Sequence, residues 1–134
     1  MTFAAALAAT RGGELALRGP DGDFSWAQVD AWLHPAVVAM QNLDLGPRRR
    51  LAIVAENSGA TLLTYVAATL AGASAVAVIF HLEPAELAYL LQDSAAAAVF
   101  TDDATATRAN RSSGLAAALC TLPLTIRKCA CAPN

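Results

Sequence analysis

Residues 51–102 decide the fold: the stretch opens with Leu51-Ala-Ile-Val-Ala-Glu-Asn-Ser58 and closes with Val99-Phe-Thr-Asp102. Between them, Leu70-Ala-Gly-Ala73 and Leu82-Glu-Pro-Ala-Glu-Leu-Ala-Tyr-Leu-Leu-Gln-Asp-Ser94 divide short apolar runs from segments with helical spacing. The stretch predicts strand, helix, strand, helix, strand, because bounded β-branched runs favour strands and apolar residues three or four apart favour helices. Alternating strands and helices imply a mainly parallel sheet, so the predicted fold class is α/β.

The boundaries of these elements carry their own signals. Strands are predicted at 51–55, 75–80 and 96–101. Ser58 is suited to cap the first helix, and Gly72 to follow its last turn. Pro84 fits the first position of the second helix, and Asp102 or Asp103 is suited to cap whatever follows the third strand.

Upstream of the sheet, the sequence predicts a helix, a β-hairpin and a second helix. The residues Gly19-Pro-Asp-Gly-Asp23 favour a turn, and they lie between two short extended runs. This arrangement is typical of a β-hairpin. Ser25 and Gln28 have the spacing of a capping box. Pro35 lies inside the helix that follows and predicts either a kink or two shorter helices, since proline lacks a backbone donor.

The run from Asn57 to Phe80 contains no charged residue, which leaves a membrane span as one interpretation. A buried helix followed by a buried parallel strand gives the same hydropathy. Helical spacing before Gly72 and β-branched residues after Ser74 favour the second interpretation. We therefore expect a cytoplasmic protein and keep a single-span membrane protein as an alternative.

The amino-acid composition of the chain changes near residue 104. Residues 1–103 carry five basic and all eleven acidic side chains, whereas residues 104–134 carry four basic side chains and no acid. All three cysteines, Cys120, Cys129 and Cys131, also lie after that point. The overall net charge of −2 gives no signature of nucleic-acid binding. The prediction is a domain at 1–103 and a divergent basic, cysteine-containing tail at 104–134.

Six segments between about residues 3 and 103 resemble, in order and spacing, the N-terminal portion of the adenylate-forming (AMP-binding) superfamily, most of all a bacterial fatty-acid or acyl-CoA ligase. They are Ala16-Leu-Arg-Gly19, Ser25-Trp-Ala-Gln-Val-Asp30, Leu45-Gly-Pro-Arg-Arg-Arg-Leu-Ala52, Glu56-Asn-Ser58, Ala71-Gly-Ala73 and Glu86-Leu-Ala-Tyr-Leu-Leu-Gln-Asp-Ser94. Ala77 and Ile79 depart from the family, which often has Pro and Asn there.

The resemblance implies enzymes that activate a fatty acid with ATP to an acyl-adenylate and then transfer it to CoA, with Mg as a further cofactor. It also implies a Ser/Thr/Gly-rich phosphate loop ending in Pro-Lys-Gly and a C-terminal domain with a catalytic lysine, which the sequence does not contain. We therefore expect a truncated family member that binds no cofactor by itself and is inactive alone. A frameshift near codon 104 is one hypothesis for the tail.

Few residues qualify as chemistry candidates, and no catalytic residue is predicted. His81 follows a strand at the end where α/β proteins gather ligands, so it is the one candidate substrate contact. His34, which precedes Pro35, is expected to be a surface residue or a residue of the helix kink. Cys129-Ala-Cys131 lacks the spacing of a zinc site, so no metal site is predicted. Arg48-Arg-Arg50 is predicted to be a solvated loop.

A second class of function remains open at this stage. A sheet with an open edge and an uncovered apolar face favours association with another chain. The alternative is therefore a non-catalytic interaction module that self-associates through its exposed sheet edge.

Overall fold

The structure is a computed structural model that describes residues 2–106, 120–121 and 125–128. Its first half contains α1 (Phe3–Arg11), β1 (Leu15–Gly19), β2 (Gly22–Ser25), α2 (Trp26–Gln41) and β3 (Arg50–Val54). The second half contains α3 (Gly59–Leu70), β4 (Ser74–Ala77), α4 (Pro84–Asp93), β5 (Ala98–Thr101), β6 (Cys120–Thr121) and β7 (Thr125–Lys128). Residues 103–106 form a further helical turn.

The described strands form a two-stranded hairpin and a five-stranded sheet. β1 and β2 pair antiparallel, as predicted. In the larger sheet the strand order is β4-β3-β5-β7-β6, and β3 pairs parallel with both β4 and β5. The predicted three-stranded parallel layer is therefore confirmed. β7 adds to β5 antiparallel, so two strands from the predicted tail extend the same sheet.

Alternate residues of β3 and β5 point to opposite faces of the sheet, and each face has its own apolar cluster. Leu51, Ile53 and Phe100 belong to the larger cluster, which is covered by α2 and α3 and includes Ala4 of α1. Ala52, Val54 and Val99 belong to the smaller cluster, which is covered by α4 through Leu87 and Leu91. The strands are buried on both faces, as expected of a parallel sheet between helices.

Local sequence signals predicted most helix ends correctly. Ser25 and Gln28 form a reciprocal capping box, and Ser58 accepts a hydrogen bond from the Thr61 amide. Pro84 begins α4, and Gly72 follows α3 with a φ of 71°. The uncharged run from Asn57 to Phe80 is divided between α3 and β4. Among the described residues, no helix is both long enough and apolar enough to cross a bilayer.

Pro35 does not divide α2, which runs without a break from Trp26 to Gln41. Of the two outcomes predicted for Pro35, the division into two shorter helices is therefore wrong, and the kink stays a prediction. Leu33 and Ala36 on either side of the proline are buried in the larger cluster, whereas Pro35 itself is exposed. Burial of one face thus holds the helix together across the lost backbone hydrogen bond.

The arginine run before β3 is not the simple solvated loop that the sequence predicts. Arg49 donates to the carbonyl oxygens of Gly72 at 3.0 Å and Ala71 at 3.2 Å, both at the end of α3. Arg50 donates to the carbonyl oxygen of Ser94 at 2.6 Å, at the end of α4. A guanidinium is well suited there, because the final carbonyls of a helix lack partners and carry partial negative charge. Arg48 alone of the three is exposed.

Candidate functional site

The carboxyl ends of β3 and β4 border a cavity of about 320 Å³. This is the edge of a parallel sheet at which ligands of α/β proteins bind. Its wall is apolar on the side of β4 and mixed on the side of α3. The lining residues are Ala55, Asn57, Thr61, Tyr65, Ala77, Val78, Ile79 and Phe80.

Two polar side chains of this cavity are suited to contact a ligand. Asn57 is exposed at the mouth. The Tyr65 hydroxyl is protonated at neutral pH, since the ordinary pKa of tyrosine is 10.0 and burial raises it further, so the hydroxyl can donate a hydrogen bond. Thr61 is less available, because its hydroxyl donates to the Glu56 carbonyl oxygen at 2.7 Å and lies 2.9 Å from the Ser58 hydroxyl.

His81 lies next to this cavity rather than in its wall. Its ring packs on Phe80 with a centroid distance of 3.9 Å and an angle of 42° between the planes. Phe80 lines the cavity, whereas His81 is exposed beyond it. The structure therefore places His81 beside the cavity, and a role for His81 in substrate binding stays a prediction.

Asp102 ties β3 to β5 at the same sheet edge. Its Oδ2 accepts a hydrogen bond from the Glu56 amide at 2.7 Å, and its Oδ1 accepts one from the Thr105 amide at 2.8 Å. The predicted capping role of Asp102 is confirmed. The Thr105 hydroxyl, in turn, donates to the Val54 carbonyl oxygen at 2.6 Å. Through these hydrogen bonds, Asp102 and Thr105 hold together the carboxyl ends of β3 and β5, so their role is structural.

The amino end of α3 follows a buried parallel strand, where a phosphate group could bind to free amides. Here the amides already have partners from the hairpin. The Asp21 carboxylate accepts from the Gly59 amide at 2.6 Å and from the Ala60 amide at 3.0 Å. A nucleotide phosphate would meet that carboxylate, so the described residues do not fit ATP at this position.

The same contacts change the acidity of Asp21. Partial desolvation against α3 opposes ionisation, but hydrogen bonds from the amides of Ala60, Gly59 and Asp21 itself outweigh it. The pKa of Asp21 is consequently lowered from its ordinary value of 3.8. Asp21 is therefore ionised at neutral pH and acts as a cap of α3 supplied from a distant turn.

The described residues contain no group of three or more His, Cys, Asp or Glu side chains that could hold a metal ion. The predictions for Cys129 and Cys131 lie outside the described residues. Sequence reasoning missed Tyr65 and Asp21 as residues of this region. Helical spacing assigned residues 59–70 to a buried face, and no local pattern reveals which side chain of such a face borders a cavity.

Comparison with known proteins gives two further findings. The AMP-binding enzyme family matches residues 3–128 of the chain, which extends past the predicted boundary at residue 103. The division at that boundary stays a prediction. No curated protein matches the sequence.

Several solved structures share the fold. A benzoate CoA ligase from Burkholderia xenovorans LB400 is 25% identical with a TM-score of 0.71, over 84% of this chain and 24% of the ligase. The anthranilate CoA ligase AuaEII is 20% identical with a TM-score of 0.69, over 80% of this chain and 21% of that one.

A fatty acyl CoA synthetase from Mycobacterium tuberculosis is 21% identical with a TM-score of 0.67, over 80% of this chain and 22% of that one. This chain thus spans about a quarter of the length of these proteins or less. Because the family match covers nearly the whole sequence, the chain belongs to the AMP-binding enzyme family.

Proposed function

We propose that this chain forms the first α/β layer of an ATP-dependent acid–CoA ligase and contributes one wall of its acid-binding site. The observation that carries the proposal is the family match over residues 3–128. Three of the similar structures are a benzoate CoA ligase, an anthranilate CoA ligase and a fatty acyl CoA synthetase. The reaction class is activation of a carboxylate by ATP, followed by transfer of the acyl group to CoA.

The cavity beside β3 and β4 supports a role in binding the acid. Val78, Ile79 and Phe80 give it an apolar side suited to an alkyl chain or an aromatic ring. Asn57 and the protonated Tyr65 hydroxyl supply donors for a carboxyl or ring substituent. We take a fatty acid as the first candidate substrate, and an aromatic acid as the competing one.

We further propose that the 134-residue chain alone catalyses neither step. The amino end of α3 is closed by the Asp21 carboxylate, and the hydroxyls of Thr61 and Thr105 are engaged in structural hydrogen bonds. In this proposal, ATP, Mg and CoA are bound by parts of a ligase other than these residues. The chain itself contributes the apolar wall of the proposed acid-binding site.

ATP–pyrophosphate exchange with fatty acids and aromatic acids tests the second proposal directly. The purified 134-residue chain is expected to give no exchange above a protein-free blank, whereas an intact benzoate CoA ligase serves as the positive control. Exchange by the purified chain that depends on the added acid would show that the inactivity proposal is wrong.

The acid-binding role needs a separate readout, for which amide chemical shifts of the labelled chain are suitable. Titration with decanoate or benzoate is expected to shift the amides of Asn57, Tyr65 and Phe80. His81→Ala should weaken the binding if the imidazole contacts the acid, and His34→Ala is the matched control on the exposed side of α2. Shifts confined to other surfaces would contradict the site assignment without affecting the exchange result.

A further inference from the structure

Tyr65 of α3 lines two hollows of the protein and forms part of the boundary between them. One is the cavity of about 320 Å³ beside β3 and β4. The other is a groove of about 320 Å³, which is lined by Phe3, Tyr65, Val66, Thr69 and Leu70. Both linings include Tyr65, so a change at this side chain alters the boundary between cavity and groove.

The spacing of residues along α3 shows on which side of Tyr65 each hollow lies. Residues four apart follow one another along the same face of a helix. Thr61 lies four residues before Tyr65 and lines the cavity, whereas Thr69 lies four residues after it and lines the groove. Cavity and groove therefore lie in line along this face of α3, with Tyr65 between them.

The direction of the Tyr65 side chain places its ring at the end of the cavity. Long and aromatic side chains of a helix lean back over the preceding turn, toward the amino end of the helix. The ring thus leans toward Thr61 and forms the end wall of the cavity. It is also held in position, because Tyr65 is half-buried and packs against the larger apolar cluster.

The groove beyond the ring is suited to the same kind of ligand as the apolar side of the cavity. Phe3, Val66 and Leu70 supply apolar surface. The Thr69 hydroxyl donates to the Tyr65 carbonyl oxygen at 3.0 Å, so this polar group already has a partner. Among these lining residues, cavity and groove are separated by the bulk of one aromatic ring rather than by a charged group.

The acid-binding site proposed above has a polar and an apolar end. Asn57 is exposed at the mouth, ahead of α3, and Tyr65 lies in the second turn of that helix. An acid that places its carboxylate near Asn57 directs its other end along α3 toward Tyr65. The cavity volume of about 320 Å³ is near the lower end of the range of about 300–1,000 Å³ that is usual for small-molecule sites. The space before the ring therefore limits the length of the acid.

We propose that Tyr65 sets the upper limit on the length of the acid that this chain accepts, because its ring closes the cavity against the groove beyond it. Medium-length alkyl chains and single aromatic rings end at Tyr65, and longer chains are excluded. The proposal rests on the acid-binding function proposed above and adds a specificity-determining residue to it. Replacing the ring by a small side chain joins cavity and groove, which roughly doubles the space open to an acyl chain.

Calorimetric titration of the 134-residue chain with hexanoate, octanoate, decanoate, dodecanoate and tetradecanoate, each below its micelle concentration, measures this limit. For the parent chain, the affinity should increase up to about fourfold with each added methylene group while the acid still fits, and should stop increasing within the series. For Tyr65→Ala the increase should continue, so that tetradecanoate binds at least about tenfold more tightly than it binds the parent. Hexanoate should bind both chains equally.

Three further variants isolate the ring as the cause. Tyr65→Phe keeps the ring and should keep the limit of the parent chain. The double variant Tyr65→Ala/Leu70→Lys places a charge in the joined groove and should lose the gain for tetradecanoate. Leu62→Ala is the matched control, because Leu62 is an apolar residue of α3 that is 49% exposed and belongs to neither lining. It should leave the whole series unchanged.

Circular dichroism establishes that each variant is folded, and Tyr65→Leu, which keeps more apolar volume, decides the outcome if Tyr65→Ala does not fold. An affinity that increases through tetradecanoate in the parent, or a limit that survives removal of the ring, would overturn the assignment to Tyr65 and leave the acid-binding function standing. A gain that persists in the double variant would overturn the path through the groove. If the parent chain binds none of the acids, the proposed acid-binding function itself is wrong, and the role of Tyr65 falls with it.

Discussion

Thr101 ends β5 with a fully buried hydroxyl that has no hydrogen-bond partner within the described part of the chain. A buried polar group without a partner costs about 1–3 kcal/mol of stability. Thr101→Val keeps the shape and removes the hydroxyl, so it should raise the free energy of unfolding by about 1 kcal/mol. Urea denaturation followed by circular dichroism measures the change.

Thr64 provides the matched control for that substitution. It is equally buried, but its hydroxyl donates to the Ala60 carbonyl oxygen at 2.8 Å. Thr64→Val removes a satisfied bond and should not stabilise the protein. An equal gain from both substitutions would show that a general preference for valine, and not the unpaired hydroxyl, is responsible.

Asp21 links the hairpin turn to α3, and the link depends on the charge of its carboxylate. The pKa of Asp21 is lowered in the folded state, whereas the unfolded carboxyl has its ordinary value of 3.8. The unfolded chain therefore binds the proton more readily. The stabilisation is complete at pH values above 3.8 and is lost as the pH falls through the lowered folded pKa.

Asp21→Ala should consequently lower the free energy of unfolding by about 1 kcal/mol at pH 7, the usual effect of losing a helix cap. The difference from the parent chain should shrink as the pH falls through the acidic range. Asp23, whose carboxylate pairs on the surface with Arg18 at 3.1 Å, supplies the control Asp23→Ala. A pH-independent effect of Asp21→Ala would mean that packing, not charge, holds the hairpin on α3.

At the scale of one element, α2 is held in a continuous helix although Pro35 cannot donate to the Ala31 carbonyl oxygen. Pro35 is exposed, so replacing it removes little buried surface. Pro35→Ala should raise the free energy of unfolding by roughly 1–3 kcal/mol, since it restores the hydrogen bond and relieves the ring clash. His34→Ala, at the exposed neighbour, should change stability by only a few tenths of a kcal/mol. A loss of stability in Pro35→Ala would show that the proline is needed for packing.

Elements were predictable from sequence where their signals are local. The capping box of Ser25 and Gln28 and the cap at Ser58 lie within three residues of their partners, and both were predicted correctly. The bonds of Arg49 to Ala71 and Gly72 join residues that are 22 and 23 positions apart, and no local pattern encodes them. β4 ends at Ala77, three residues before its predicted end, because the chain turns at Phe80.

The candidate site, too, could be predicted only as far as it depends on local sequence patterns. The position of His81 after a strand predicts the sheet edge at which it lies, because the order of strands and helices determines where parallel strands end, but its contact with a ligand stays a prediction. Tyr65 lies on α3, and its approach to the cavity depends on how that helix packs across β3 and β4. The side chains that form the wall were therefore not predictable from spacing alone.

At the scale of the molecule, the described residues cover the two faces of the sheet unequally. The larger cluster combines side chains from α1, α2 and α3 with the strands. On the opposite face, α4 contributes Leu87 and Leu91 to the smaller cluster, and both side chains are 1% exposed. Because the described residues bury less apolar surface on the face that α4 covers, we expect α4 to open at a lower free energy than the rest of the fold.

Hydrogen exchange on the native chain should therefore find α4 less protected than α3. Leu87→Ala removes a buried side chain, which costs about 2–5 kcal/mol, and should accelerate exchange in α4 first. Leu33→Ala, at an equally buried position of α2, should accelerate exchange across the whole sheet because it weakens the larger cluster. Equal protection of α3 and α4, with parallel changes in both variants, would instead show that the sheet and all its helices open as one unit.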